Sequence, residues 1–114
     1  MPNPYRDQSS IYASRILSRR SLDVRARLVA LQETGEPIVV QARTRDVSCS
    51  GAGLTLTGEL PSGSEVVLCL RPPGSEHTLC LHAVITRRQG FRAGVRFLKP
   101  SARQRLVLSE LCYA

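Results

Sequence analysis

The feature that most constrains this chain is a side-chain alternation of period two, broken every 8 to 12 residues by glycine or proline. Val24-Arg25-Ala26-Arg27-Leu28 alternates strictly, with Val24, Ala26 and Leu28 on one face. Gly35-Glu36-Pro37 punctuates, and Ile38 to Val47 reads as a second strand, apolar at its start. Gly51 and Gly53 mark the next turn, and Leu54-Thr55-Leu56-Thr57 alternates again. Leu60-Pro61-Ser62-Gly63 is a turn signal. Glu65 to Leu70 and Leu79 to Thr86 are short apolar runs of buried-strand length. From Phe91 to Phe97 the apolar positions are the odd ones, so Phe91 and Phe97 are both expected inside. Pro100-Ser101 ends the strands, and Ser101 with Gln104 forms a capping box for a helix carrying Leu106, Val107, Leu108 and Leu111. The pattern predicts six or so short antiparallel strands in a small barrel or sandwich, with the helix over an open end or face.

Length allows one domain and not two: the chain has 114 residues. Residues 1 to 13, polar and with Pro2 and Pro4, read as a flexible tail, and residues 14 to 114 as the folded domain. Hydrophobic residues make up 42%, enough for a core, but aromatics only 4%, so that core must come from Leu, Val, Ile and Ala. Basic residues outnumber acidic ones 16 to 9, and all but Lys99 are arginine. A guanidinium fork matches phosphate oxygens and the O6/N7 edge of guanine, and it stacks on flat rings. A phosphate-bearing or guanine-bearing partner is one reading of that bias; arginine-favouring codon usage is the other.

Cys49, Cys69, Cys80 and Cys112 form no C-x-x-C pair and sit among apolar neighbours. Cys69 and Cys80 are placed to face each other across a hairpin turning at Pro72-Pro73-Gly74, where a disulfide is conceivable. The N-terminus MPNPYRDQSS has no apolar h-region, and no run approaches the ~18 apolar residues of a membrane span. A reduced, cytoplasmic protein with no membrane insertion is expected.

Two polar clusters stand apart from the scaffold. Arg15-x-x-x-Arg19, with Arg20 beside it, precedes the first strand. On a helix Arg15 and Arg19 share a face; in an extended segment the chain can curl to bring both forks to one ligand. A solvated basic run is the plain alternative. The second cluster is Asp46-x-Ser48-x-x-Gly51 at the end of a strand. Asp46 and Ser48 have the same parity, so they are expected on one face, with Val47 and Cys49 turned to the core. A carboxylate there can accept from the N1–H and N2–H₂ edge of guanine, and Ser48 can hold a phosphate oxygen or brace the loop. Gly51 is expected to free the backbone for a turn at positive φ and for close approach of a ligand. The plain alternative is an Asx or Ser turn closing a hairpin.

The order R-x-x-x-R, strand, D-x-S-x-x-G resembles the PilZ family. "GAGL" after the second motif, "LPSGSEVVLCL" and "AGVRF" before the closing helix continue the likeness from about residue 14 to 112. The resemblance implies a six-stranded antiparallel PilZ-type β-barrel with a C-terminal α-helix. It also implies a receptor for the bacterial second messenger cyclic di-GMP, with Arg15, Arg19, Asp46, Ser48 and Gly51 as ligand-binding residues and Arg20 beside them. Members that take up a stacked ligand dimer often carry an arginine ahead of R-x-x-x-R; here that residue is Ser14, with Arg6, Arg20 or Arg45 as further forks. With no output domain, the module is expected to signal to an unidentified effector protein, as monomer or weak dimer, through ordering of its N-terminal segment.

The sequence does not read as an enzyme. His77 lies in a polar turn and His82 in a strand-like run, and no nucleophile–base pair or paired acids occur at useful spacing. Cys80-x-His82 with Cys69 lacks a fourth zinc ligand, so no metal and no cofactor are expected. Two rivals remain: a PilZ-like interaction adaptor that binds no nucleotide, and a general basic nucleic-acid-binding barrel. The second lacks exposed aromatics for base stacking, so DNA or RNA is not the expected partner.

Overall fold

The computed structural model describes residues 19–32 and 35–113. The tail, residues 1 to 13, and Arg15 therefore lie outside the described residues.

Among the described residues seven strands and one helix follow each other: β1 (Arg20–Ser21), β2 (Arg25–Ala30), β3 (Ile38–Val47), β4 (Gly51–Leu56), β5 (Glu65–Leu70), β6 (Leu79–Gln89), β7 (Arg92–Phe97) and α1 (Ala102–Tyr113). All pairings are antiparallel, in the order β3-β2-β5-β6-β7-β4, and β4 pairs back on β3. Six strands thus close a barrel and leave no open edge among themselves. The two residues of β1 add to β3 beyond the end of β2, with Arg20 opposite Val47 and Ser21 opposite Asp46. Thr44 splices that break. Its buried hydroxyl donates to the Leu22 carbonyl and accepts the Val24 N–H at 3.0 Å.

Alternation decides which side chains fill the barrel. Ala26, Leu28 and Ala30 of β2, Val66, Leu68 and Leu70 of β5, and Leu79, Leu81, Ala83 and Ile85 of β6 are all buried. The turns expected at Gly63 and Gly74 have φ of 88° and 77°, values open to glycine at little cost. Cys69 and Cys80 lie directly opposite across β5 and β6, as the hairpin predicted, and both are free thiols.

The capping box forms in full. The Gln104 N–H donates to Ser101 Oγ at 3.1 Å, and the Ser101 N–H to Gln104 Oε1 at 2.9 Å. Gln104 Nε2 also donates to the Cys80 carbonyl at 2.8 Å, which pins the first turn of α1 to β6. Leu108 is fully buried in the barrel core, a burial worth roughly 1.5–3 kcal/mol, and Val107, Leu111 and Cys112 pack against that core. Leu106 stays 61% exposed on the outer side of the helix.

Phe91 corrects the alternation reading. It is 71% exposed, while Phe97 is buried as expected. Gly90, with φ 59°, turns the chain before β7 begins at Arg92, so Phe91 belongs to the hairpin tip and not to the strand's inward set.

Candidate functional site

Two bulges shape the outer face of the barrel. Along β3, Val40, Ala42 and Thr44 point inward, and simple alternation would bury Asp46 as well. A register shift between Thr44 and Asp46 inserts one residue, so Val47 takes the inward place and Asp46 turns outward. In β6 the inward set is Leu79, Leu81, Ala83 and Ile85, and Arg87 would follow. A second shift, between Ile85 and Arg87, turns Arg87 out as well.

The Asp46 carboxylate lies over Gly53 of β4, its strand partner. Oδ1 accepts from Arg19 Nη1 at 2.7 Å and from the Gly53 N–H at 3.1 Å. A Cβ at Gly53 would meet Asp46 Oδ2 at 2.8 Å, so any side chain there would push the carboxylate from its place. The Arg19–Asp46 pair is solvent-facing, with the Arg19 side chain 59% exposed, so it contributes only about 0.2–1 kcal/mol to stability. It presents a carboxylate beside a guanidinium, and the guanidinium and Gly53 line a cavity.

That cavity has a volume of about 470 Å³. Arg19, Arg45, Arg87 and Arg92 stand around it, and Gly53 and Gly94 lie in its lining. Of these arginines only Arg19 has a carboxylate partner among the described residues. The site therefore carries a surplus of positive charge suited to an anion.

Ser48 and Gly51 serve the same hairpin from within. Ser48 is 1% exposed. Its Oγ accepts the Ser50 and Gly51 N–H groups at 3.2 and 3.1 Å and donates to the Gly51 carbonyl at 3.2 Å, while its own N–H donates to that carbonyl at 2.8 Å. Of the two roles open to Ser48, the geometry is that of a brace. Gly51 corrects the expectation of a positive-φ turn: it is not among the positive-φ glycines and lies in β4. Glycine is required there because β7 comes close, and a Cβ would sit 2.2 Å from the Val95 carbonyl oxygen.

Arg20 faces elsewhere. Its Nη1 donates to the Leu111 carbonyl in the last turn of α1 at 3.2 Å, a favourable place for a cation. The structure thus brings Asp46 to Arg19 of the cavity lining, puts Ser48 and Gly51 in the buried turn that follows Asp46, and puts Arg20 at the helix end. Sequence reasoning missed Gly53, Gly94 and Arg87 as cavity residues. Only Gly53 carried a signal, as the second glycine after the D-x-S motif.

Burial, then the neighbouring Cys80, pushes the Cys69 thiol up to about 11, and burial, then Cys49, does the same to Cys112. No group of three or more His, Cys, Asp or Glu side chains is placed to hold a metal among the described residues. No described helix is long and apolar enough to cross a membrane.

Comparison with known proteins agrees with this architecture. Similar solved structures include the following three. The PilZ domain of CeSA from a cellulose-synthesizing bacterium has a TM-score of 0.65 at 20% identity, covering 83% of this chain and 94% of that one. The PilZ domain of YcgR from Escherichia coli, with c-di-GMP, has a TM-score of 0.65 at 19% identity over 83% and 86%. The Bacillus subtilis inhibitor of motility MotI/DgrA has a TM-score of 0.63 at 19% identity over 83% of this chain and 47% of its own length. Identities this low show a shared fold. No curated protein sequence matches significantly. The PilZ domain family model matches residues 14–114, and the chain belongs to the PilZ family.

Proposed function

We propose that the chain is a cyclic di-GMP receptor that acts through a partner protein. The observation that carries this reading is the Arg19–Asp46 pair, 2.7 Å apart, whose arginine lines a cavity of about 470 Å³ together with Arg45, Arg87 and Arg92. The carboxylate is the acceptor that the guanine N1–H and N2–H₂ edge requires. The arginines supply forks for the phosphates, each charge-assisted contact contributing about 1.5–3 kcal/mol. Arg15, one motif step before Arg19, adds a further fork in this reading. Ser48 and Gly51 act indirectly, by holding the strand ends on which Asp46 and Gly53 sit. The ligand identity is supported by membership of the PilZ family and by the likeness to the YcgR domain solved with c-di-GMP. No catalytic step is assigned to the chain, and a cytoplasmic site of action goes with this ligand.

Calorimetric titration with cyclic di-GMP tests the assignment. Binding by the wild type, lost or weakened at least tenfold in Arg19→Ala, is expected. Absence of heat from the wild type would favour an adaptor that binds no nucleotide. Salt-sensitive binding to random single strands with no preference for the cyclic dinucleotide would favour a general nucleic-acid binder. Ordering of the leader is the proposed signal, and hydrogen exchange over residues 5 to 20 should slow when ligand is added.

A further inference from the structure

A single row of facing residues crosses the outside of the barrel: Asp46 opposite Gly53, Gly53 opposite Gly94, and Gly94 opposite Arg87. The row starts on a carboxylate, ends on a guanidinium, and has two positions without side chains between. At the strand spacing of about 4.8 Å its ends lie roughly 14 Å apart along the curved sheet. Both ends are residues that alternation would bury, and a bulge turns each outward. A charged residue at a position set for the core, with an irregular strand to bring it out, argues for use at the surface.

Arg87 differs from the other arginines of the cavity. The Arg45 Nε is directed at the Leu54 carbonyl at 3.4 Å, and Arg92 sits one row away, opposite Thr55 and Gln89. Arg87 lies in the row itself: a Cβ added at Gly94 would come 3.7 Å from the Arg87 Cβ, so the two share one face. Arg87 is exposed and forms no ion pair with another described residue.

We propose that Arg87 is a ligand-binding residue of this site, one that neither arginine-bearing nor aspartate-bearing motif contains. It takes a phosphate of the cyclic dinucleotide at the end of the row opposite Asp46, with the ligand lying over the Gly53–Gly94 platform. The guanidinium fork fits phosphate oxygens, and the bare glycine backbone lets a flat, bulky ligand approach both anchors. This inference rests on the receptor reading and extends it to the β6–β7 wall.

The test is calorimetry with cyclic di-GMP on the wild type, Arg87→Ala and Arg96→Ala. Arg96 is exposed on β7, opposite Gly51 and Val84, and its removal costs the same formal charge. Arg87→Ala is expected to weaken binding about tenfold or more, and Arg96→Ala less than about twofold. Equal effects of the two substitutions would overturn the assignment of Arg87 while leaving the receptor reading intact. A wild type that does not bind would overturn both. Arg87→Gln, which keeps a polar side chain at the bulge, serves as a second variant with the same expected loss should alanine lower the melting temperature.

Discussion

One hairpin, β3–β4, has an outer face and an inner face that do different work with the same short motif. Outside, Asp46 lies over Gly53, solvent-facing and paired with Arg19. Inside, Ser48 ties the turn together and Gly51 lets β4 lie against β7. Two residues apart, and equal in parity on an ideal strand, Asp46 and Ser48 end up in water and in the core. A shared motif therefore does not imply a shared role. The outer pair meets the ligand in our reading, and the inner pair holds the frame.

Substitutions on each face should separate stability from binding. The largest loss is expected from Gly51→Ala, whose new methyl group would press on a backbone oxygen at 2.2 Å that has no rotamer to escape into. About 3 kcal/mol of unfolding free energy should go, read by denaturant titration. Ser48→Ala comes next. It leaves two N–H groups of a buried turn without their side-chain acceptor and should cost about 2 kcal/mol, with any drop in ligand affinity following the drop in stability. Gly53→Ala sharpens the contrast. Its Cβ meets a carboxylate that can swing aside, so the stability change should stay below about 1 kcal/mol while cyclic di-GMP binding falls. Asp46→Asn should cost still less in stability, under about 1 kcal/mol, since its ion pair is exposed, and should likewise weaken binding. If Gly53→Ala unfolded the protein as readily as Gly51→Ala, the division into two faces would fail.

The smallest effect concerns pH. Cys69 and Cys112 have thiol values raised from 9.0 to about 11 in the fold. The unfolded chain then loses these protons first, so stability should fall as pH rises from about 9 to about 11. A Cys69→Ser, Cys112→Ser double variant should flatten that limb of a melting-temperature profile.

Much of the scaffold was legible because its rules are local. The Ser101–Gln104 box was read from two residues three apart, and its bonds are those expected. The opposition of Cys69 and Cys80 followed from counting outward from Pro72-Pro73-Gly74. Phe91 failed the same logic because Gly90 lifts it off the strand. Of the cavity, Arg19 was legible from R-x-x-x-R, and the D-x-S motif marked the carboxylate beside it. Arg87 and Gly94 could not be found that way. A period-two pattern has no means of showing an inserted residue, and the β6 bulge between Ile85 and Arg87 changes the face of everything after it. Nor does a sequence show that Gly94 will stand beside Gly53, since 41 positions separate them and only the closed sheet brings them together.

The glycine pair has a consequence for how such a surface is mapped by mutation. Truncating side chains one at a time reports on anchors and overlooks the ground between them, where nothing exists to truncate. Around Gly53 and Gly94 the informative change is to build upward, one methyl group at a time, and to ask when the visitor no longer fits.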